Sequence, residues 1–388
     1  MIYQFSAPMP YTPEDINRML DINNHVEKSK ITSLYACLPS NCELFTGFEQ
    51  PRNFAFEHNN WEYWKKLIEH TLSHNSDFIY LLNSPRPLDI ENPNFKQQLE
   101  KLEKLLAELK ILGVKKLRVA LPQLQTWIGE NYNYFDILAS TSMEYKTIWE
   151  YQNFIHFHEE VKQIVPSSDV NKNFKLLSIL REKYPDKEIE IMVNEACLQG
   201  CPHRAFHETT NIDKHFRFND NVCFSTDYGT SFCMNIKNRY PIQSLIIGSN
   251  VFPWEIEEYK KIGITKFKLV GRDAFNNNIG YCIDNFALYL RGVENIKNIE
   301  EYPLIRFTHH LYNTPVLGNL KVKEYQKYLP KIKHFTKYGH LCASRCGVEC
   351  RYCYKCAEKI EKVFKNKQKE MRKKTMSMCV MSENINLK

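Results

Sequence analysis

The sequence predicts an α/β chain built on a (β/α)8 TIM-type barrel, with a cysteine-rich insertion after strand 6 and a small basic, cysteine-rich C-terminal module. Three observations predict it. Eight apolar runs of strand length recur between about residues 31 and 291. Helical periodicity separates most of them. The runs are near-continuously apolar, so both faces need cover, which an outer ring of helices and a filled barrel interior provide. A chain of 388 residues accommodates one such barrel of roughly 250 residues and a further module. The composition, 43% hydrophobic and 13% aromatic, excludes disordered, fibrous and low-complexity classes. With 13 glycines and neither GxGxxG nor GxxxxGK[ST], simple nucleotide-binding readings lose ground.

In chain order the expected strands are ITSLYAC from Ile31, DFIYLLN from Asp77, KKLRVAL from Lys115 and YFDILAS from Tyr134. VKQIVPS from Val161, EIEIMVN from Glu188, QSLIIGS from Gln243 and TKFKLVG from Thr265 complete the set. Helices are expected at WEYWKKLIEHTL, at FKQQLEKLEKLLAELKILG with leucines at three- and four-residue spacing, and at EYKTIWEYQNFIHFHEE. Further ones are NFKLLSILREKY behind an Asp169 cap, PWEIEEYKKIG, and AFNNNIGYCIDNFALYLRG. The third connection is short and carries a proline. The sixth, from Glu195 to about Arg239, is polar and cysteine-rich rather than helical. Barrel active sites sit at strand C-terminal ends, so this connection marks the mouth. The barrel is assigned to 1–292 with its insertion at 195–239, and the C-terminal metal-binding module with its basic helix to 293–388.

Thirteen cysteines without a disulfide-type context point to metal ligation. Four lie between Cys197 and Cys233, and five between Cys342 and Cys356. Cys197 and Cys201 form a C-x3-C pair that Cys223 and Cys233 complete to four thiolates, a set that suits [4Fe–4S], [2Fe–2S] or structural zinc. His203 and His207 stand four apart around Arg204 and share a face if helical. HRAFHE is not HExxH, so a zinc hydrolase is disfavoured. These three residues either hold the insertion together or face the substrate as acid and anion clamp.

The second group is Cys342-x3-Cys346-x3-Cys350-x2-Cys353-x2-Cys356. Ordinary packing does not explain such density, and the group is read as a second iron–sulfur cluster or a zinc knuckle. Within it Cys346, Cys350 and Cys353 resemble the C-x3-C-x2-C motif of radical S-adenosylmethionine enzymes. Only 35 residues follow Cys353, too few for the barrel which that motif normally precedes. Residues 293–388 hold 20 lysines and arginines against nine glutamates, a net of +11, so RNA or another polyanion is an expected partner, with a solvated basic helix as the alternative.

The Asn194-Glu195-x-Cys197 segment, the later paired cysteines, and the run from Ser244 to Arg272 together resemble the U32 peptidase-like family. Phe267-Lys268-Leu269-Val270-Gly271-Arg272 is similar to that family's Lys-Ile-Glu-Gly-Arg strand, with Val270 in place of the glutamate. The likeness spans about residues 30 to 290, with specific features between 190 and 272. It implies a [4Fe–4S] cluster on Cys197, Cys201, Cys223 and Cys233, a site-facing Arg272, and oxygen-independent hydroxylation of the kind its better understood members perform on ubiquinone precursors or RNA. An electron donor would then be a partner. The closer Cys197/Cys201 spacing and the tail mark a divergent member.

Four functions follow from these readings: a redox enzyme with its cluster at the barrel mouth, a U32-type peptidase, a radical S-adenosylmethionine-like enzyme using Cys346, Cys350 and Cys353, and a zinc-containing RNA-binding protein that uses Tyr352 and Tyr354 to stack bases. The peptidase reading lacks a nucleophile elbow or acid pair. With no basic and apolar leader at MIYQFSAPMP, and no stretch near 18 consecutive apolar residues, a cytoplasmic protein without membrane insertion is expected.

Overall fold

The structure, a computed structural model, describes residues 2–38, 60–84, 91, 94–195, 197–205, 228–271, 275–308, 315–342 and 345–385. Eight parallel strands close into a barrel in sequential order. They are β1 (Tyr3–Pro8), β2 (Ser29–Ala36), β3 (Asp77–Leu82), β4 (Lys116–Val119), β5 (Asp136–Ala139), β6 (Val161–Ile164), β7 (Glu188–Met192) and β8 (Lys266–Lys268).

Two expectations are corrected, and they compensate. A strand precedes the first one expected: YQFSAP forms β1 and closes the barrel against β8. The run QSLIIGS is helical instead, because Pro241 occupies a first-turn position and starts a helix that carries the apolar residues inward. The cysteine-rich connection therefore follows β7, not a sixth strand.

Around the barrel run α1 (Pro13–Asp21), α2 (Trp61–Ser73), α3 (Phe95–Ile111), α4 (Pro122–Asn131), α5 (Ile148–Phe157) and α6 (Phe174–Lys183). They continue with α7 (Tyr228–Arg239), α8 (Pro241–Ile247), α9 (Ile256–Lys261) and α10 (Phe275–Glu294). Local chemistry sets their starts. Thr12 caps α1, and Thr147 with Glu150 forms a capping box on α5. The cap of α6 is Asn173, whose side chain accepts from Leu176 N, rather than the expected Asp169. Part of the connection read as non-helical, from Tyr228 on, is α7.

Each strand buries both faces. Leu34, Ala36, Phe78, Tyr80 and Leu82 face the helices in the main core, while Tyr35, Cys37, Ile79, Leu81 and Leu138 form a second small apolar cluster inside the barrel. The interior is also charged. Arg118 on β4 is 0% exposed and lies 2.7 Å from Glu190 on β7, which is 3% exposed. Arg118 Nη2 donates to Gln163 Oε1 at 2.9 Å, and Ser6 Oγ donates to Glu190 Oε1 at 2.7 Å. Lys268 on β8 lies 4.7 Å above the Tyr35 ring. Burial favours the neutral acid at Glu190, but Arg118 and then Lys268 outweigh it and hold the carboxyl below its ordinary range. Below this layer a cavity of about 260 Å³ opens at the strand starts, rimmed by the ion pairs Lys116–Asp77 and Lys266–Glu188.

The chain beyond α10 shares the barrel's core. After α11 (Ile332–Tyr338) and a short turn it enters α12 (Tyr352–Ile385), which packs on α8, while α11 packs on α6. Phe335, Ala357, Ile360 and Phe364 join the same apolar cluster as the barrel helices. The tightest point is Gly339, where an added Cβ would lie 1.9 Å from the Lys172 carbonyl oxygen. Its φ of −59° suits any residue, so close approach is what requires glycine there. Gly339→Ala should lift the tail off the barrel, costing about 1–3 kcal/mol of overpacking, read as faster proteolysis between barrel and tail and a lower Tm. Gly318→Ala, with nothing within 4 Å of the added methyl, is the silent control. Equal behaviour of the two variants would refute the docking contact.

Candidate functional site at the barrel mouth

The segment leaving β7 is held at both ends. Asn194 Nδ2 donates to Val270 O at 2.9 Å and its Oδ1 accepts from Val270 N at 2.7 Å, tying it to the continuation of β8. Cys197 N donates to Glu195 Oε1 at 3.0 Å, and Ser249 N donates to Cys197 O at 3.1 Å. Gly200 takes a left-handed φ of +63°, which lets the chain reverse between Cys197 and Cys201. Asp169, from the loop after β6, receives Gly200 N at 2.8 Å on Oδ1 and Gln199 Nε2 at 2.6 Å on its carbonyl.

Arg204 closes this arrangement. Its guanidinium, 6% exposed, lies 3.1 Å from Asp169 Oδ1 and 3.3 Å from Glu144 Oε2. It also donates to Ser168 Oγ at 2.8 Å and to Leu198 O at 3.0 Å. Lys146 Nζ adds a second cation 2.8 Å from Asp169 Oδ2. Burial works against the charge on Arg204, but Cys197, Glu144, Asp169 and Glu195 outweigh it and keep the guanidinium protonated far above its ordinary range. Burial also opposes ionisation of Asp169, yet Arg204, Lys146 and the Gly200 amide hold that carboxyl below its usual range. Both Nη groups of Arg204 are engaged by the loops after β5, β6 and β7.

Cys197, Cys201 and Cys233 are cysteines of intermediate exposure, the last on α7. Leu198 and Gln199, between the first two, share an apolar cavity of about 410 Å³ with Ile236 and Tyr240 of the α7 segment and Tyr354 of α12. His203 is half-buried beside Arg204. Cys223, His207 and Arg272 lie outside the described residues. Among the described residues no three His, Cys, Asp or Glu side chains already converge as a metal site.

The tail cysteines, Cys342, Cys346, Cys350, Cys353 and Cys356, are likewise half-buried. Burial pushes the Cys342 thiol up to about 11 and the Cys353 thiol up to about 12; Cys346 and Cys356 rise for the same reason. Two neighbours escaped the sequence reading. His334 places Nε2 3.4 Å from Cys350 Sγ, and Lys172, from the barrel loop that carries Asp169, faces the tail. A histidine eight residues before a cysteine cluster was the available signal for the first; nothing local marks the second.

No protein-family model matches the chain. "Uncharacterized protease MJ1657" of Methanocaldococcus jannaschii is 25% identical over 365 residues, covering 90% of this chain and 94% of that protein. Among solved structures, the U32 peptidase Mk0906 matches at 11% identity over 70% of this chain and 93% of its own, with a TM-score of 0.43. N-acetylneuraminate lyase from Fusobacterium nucleatum matches at 12% identity over 94% and 99%, with a TM-score of 0.36. The strand order and the loop after β7 define a (β/α)8-barrel protein with a cysteine-bearing mouth. The chain is thus similar over nearly its full length to a protein named as a protease, and the segments Asn194–Cys197 and Phe267–Arg272 carry its resemblance to the U32 peptidase-like family.

Proposed function

We propose that the protein is an enzyme that uses an iron–sulfur cluster at the barrel mouth for oxygen-independent hydroxylation or a related redox modification. The observation that carries this is the rigid presentation of Cys197 and Cys201 by Arg204, Asp169 and Gly200 at the strand C-terminal ends. The donor set fits by its chemistry: soft thiols, with Cys233 on a helix that shares a cavity with the cysteine loop. Cys197, Cys201, Cys223 and Cys233 would hold the cluster, which when bound supplies one-electron chemistry. The chain's own residues hold the loop in place: Asn194 ties β7 to β8, and Arg204 bonds the loop to Asp169 and Leu198. Hydroxylation without dioxygen balances as R–H + XO → R–OH + X, in which XO is an oxygen-atom donor reduced by two electrons. An external electron donor would set the centre's resting state. Arg272 and His203 are proposed to meet substrate, and the basic tail, where Arg351 lies 5.9 Å from the Tyr354 ring centre, is proposed to meet RNA or another polyanion.

Anaerobic purification with iron and sulfide analysis and an absorption spectrum tests this. Serine at Cys197, Cys201, Cys223 or Cys233 should bleach the thiolate-to-iron absorption and lower bound iron. Full iron in all four variants would sink the assignment. A peptidase is the second reading, favoured by the protease name of the archaeal relative. Peptide hydrolysis by iron-free protein would establish it instead. Among the described residues no helix is long and apolar enough to cross a membrane.

A further inference from the structure

The tail carries four cysteines on three neighbouring small pieces of structure, their side chains not converged on one point. Cys342 follows the turn Gly339–Leu341, its amide donating to Gly339 O at 3.0 Å. Cys346 and Cys350 flank a tight loop, bridged to each other through their backbones, with Gly347 N donating to Cys350 O at 2.9 Å. Gly347 has φ +85°, the left-handed conformation that lets so short a loop reverse. Cys353 is the second residue of α12, where helix amide groups face outward and favour negative charge. Cys356 sits one turn further on, beside Tyr352 and facing the charges of Lys331 and Lys359.

Two neighbours complete the surroundings. The His334 ring stacks on Tyr352 with centroids 3.9 Å apart and tilts against Tyr338 at 5.0 Å, which fixes Nε2 at 3.4 Å from Cys350 Sγ. Lys172 is 9% exposed, lies 4.9 Å over the Phe335 ring, and interacts electrostatically with Cys342, Cys346 and Cys353.

We infer that Cys342, Cys346, Cys350 and Cys353 are the ligands of a tetrathiolate metal site, with His334 donating an N–H···S bond to Cys350, Lys172 as its counter-cation from the barrel, and Cys356 outside the ligand set. Binding balances as M²⁺ + 4 RSH → [M(SR)4]²⁻ + 4 H⁺, so the ion must displace four protons and draw the thiols to one point. The product carries −2 whether it holds zinc or a [4Fe–4S]²⁺ core, and a half-buried dianion requires a cation and hydrogen-bond donors around it. Lys172 and His334 are those groups. The inference is independent of the mouth cluster.

The test is titration of the reduced, metal-free, full-length chain with Co²⁺ alone, in a Cys197→Ser/Cys201→Ser background that removes the mouth thiols. One equivalent should bind with a four-sulfur tetrahedral spectrum. Serine at any of the four ligands should abolish it, and Cys356→Ser should leave affinity unchanged. Lys172→Met and His334→Phe should keep the stoichiometry and weaken binding about ten-fold, as outer-shell changes do. If the background variant fails to fold, Cys353→Ser against Cys356→Ser in the otherwise unaltered chain gives the same comparison. Absence of stoichiometric binding, a spectrum with nitrogen ligation, or loss of binding in Cys356→Ser would overturn the inference. Metal analysis of the protein as purified then separates zinc from iron, and if the mouth thiols fail to hold iron this site should still bind cobalt.

Discussion

Arg204→Ala should lower stability by about 3–5 kcal/mol, because it leaves Asp169 and Glu144 without their buried partner rather than merely deleting a contact. Chemical denaturation gives the size of the loss. Faster proteolysis of the segment between Cys197 and Cys201 would give its location, since the same change frees Leu198 O and the cysteine loop. Arg204→Lys keeps the charge but cannot span Glu144, Asp169, Ser168 and Leu198 together, so it should recover only part of the loss. Acid should act in the same direction. Asp169 has a lowered folded-state pKa, so its contribution is complete above the ordinary carboxylate range near pH 4 and is lost as pH falls through the folded value. Unchanged stability in Arg204→Ala would mean that the guanidinium is not the hub of the mouth.

Arg118→Met should be nearly as damaging, again by about 3–5 kcal/mol, because Glu190 stays fully enclosed with Lys268 as its remaining cationic neighbour. Adding Glu190→Gln to Arg118→Met should cost much less than the two single changes together. The double-mutant cycle should show coupling of about 1–3 kcal/mol in urea melts. Additive losses would show that the pair is held apart by its surroundings and contributes no mutual stabilisation. Arg118 keeps Nε and Nη1 without hydrogen-bond partners among the described residues, so this layer is not optimised for stability alone.

The barrel was legible because apolar runs and helical periodicity are local properties. The two strand errors were also local. YQFSAP is short and ends in proline, whereas SLIIG has the length of a buried strand, and only Pro241 ahead of it signalled a helix start. The charged interior was present in the sequence as alternation: Lys116 and Arg118, Glu188 and Glu190, Lys266 and Lys268 each stand two apart, and so share a face of their strands. Apolar neighbours masked that pattern. The roles of Arg204 and Lys172 were not legible, because Glu144 is 60 residues from Arg204 and the tail cysteines lie some 170 or more beyond Lys172. Such partners are set by barrel closure, which no window along the chain contains.

Closure has a temporal side as well. The seam is β1 against β8, where Gln4 meets Lys266 and Ser6 meets Lys268 across only three paired positions. On the ribosome, β1 must wait with one edge open until nearly 270 residues have been synthesised, whereas β2 to β6 can pair on both edges once β7 has emerged at Met192. Contacts of such sequence separation form slowly, and an open apolar edge invites association with other chains meanwhile. The burden of safe biogenesis thus falls on the segment around β1, so a substitution there should reduce soluble yield more than it reduces the equilibrium stability of protein that has already folded.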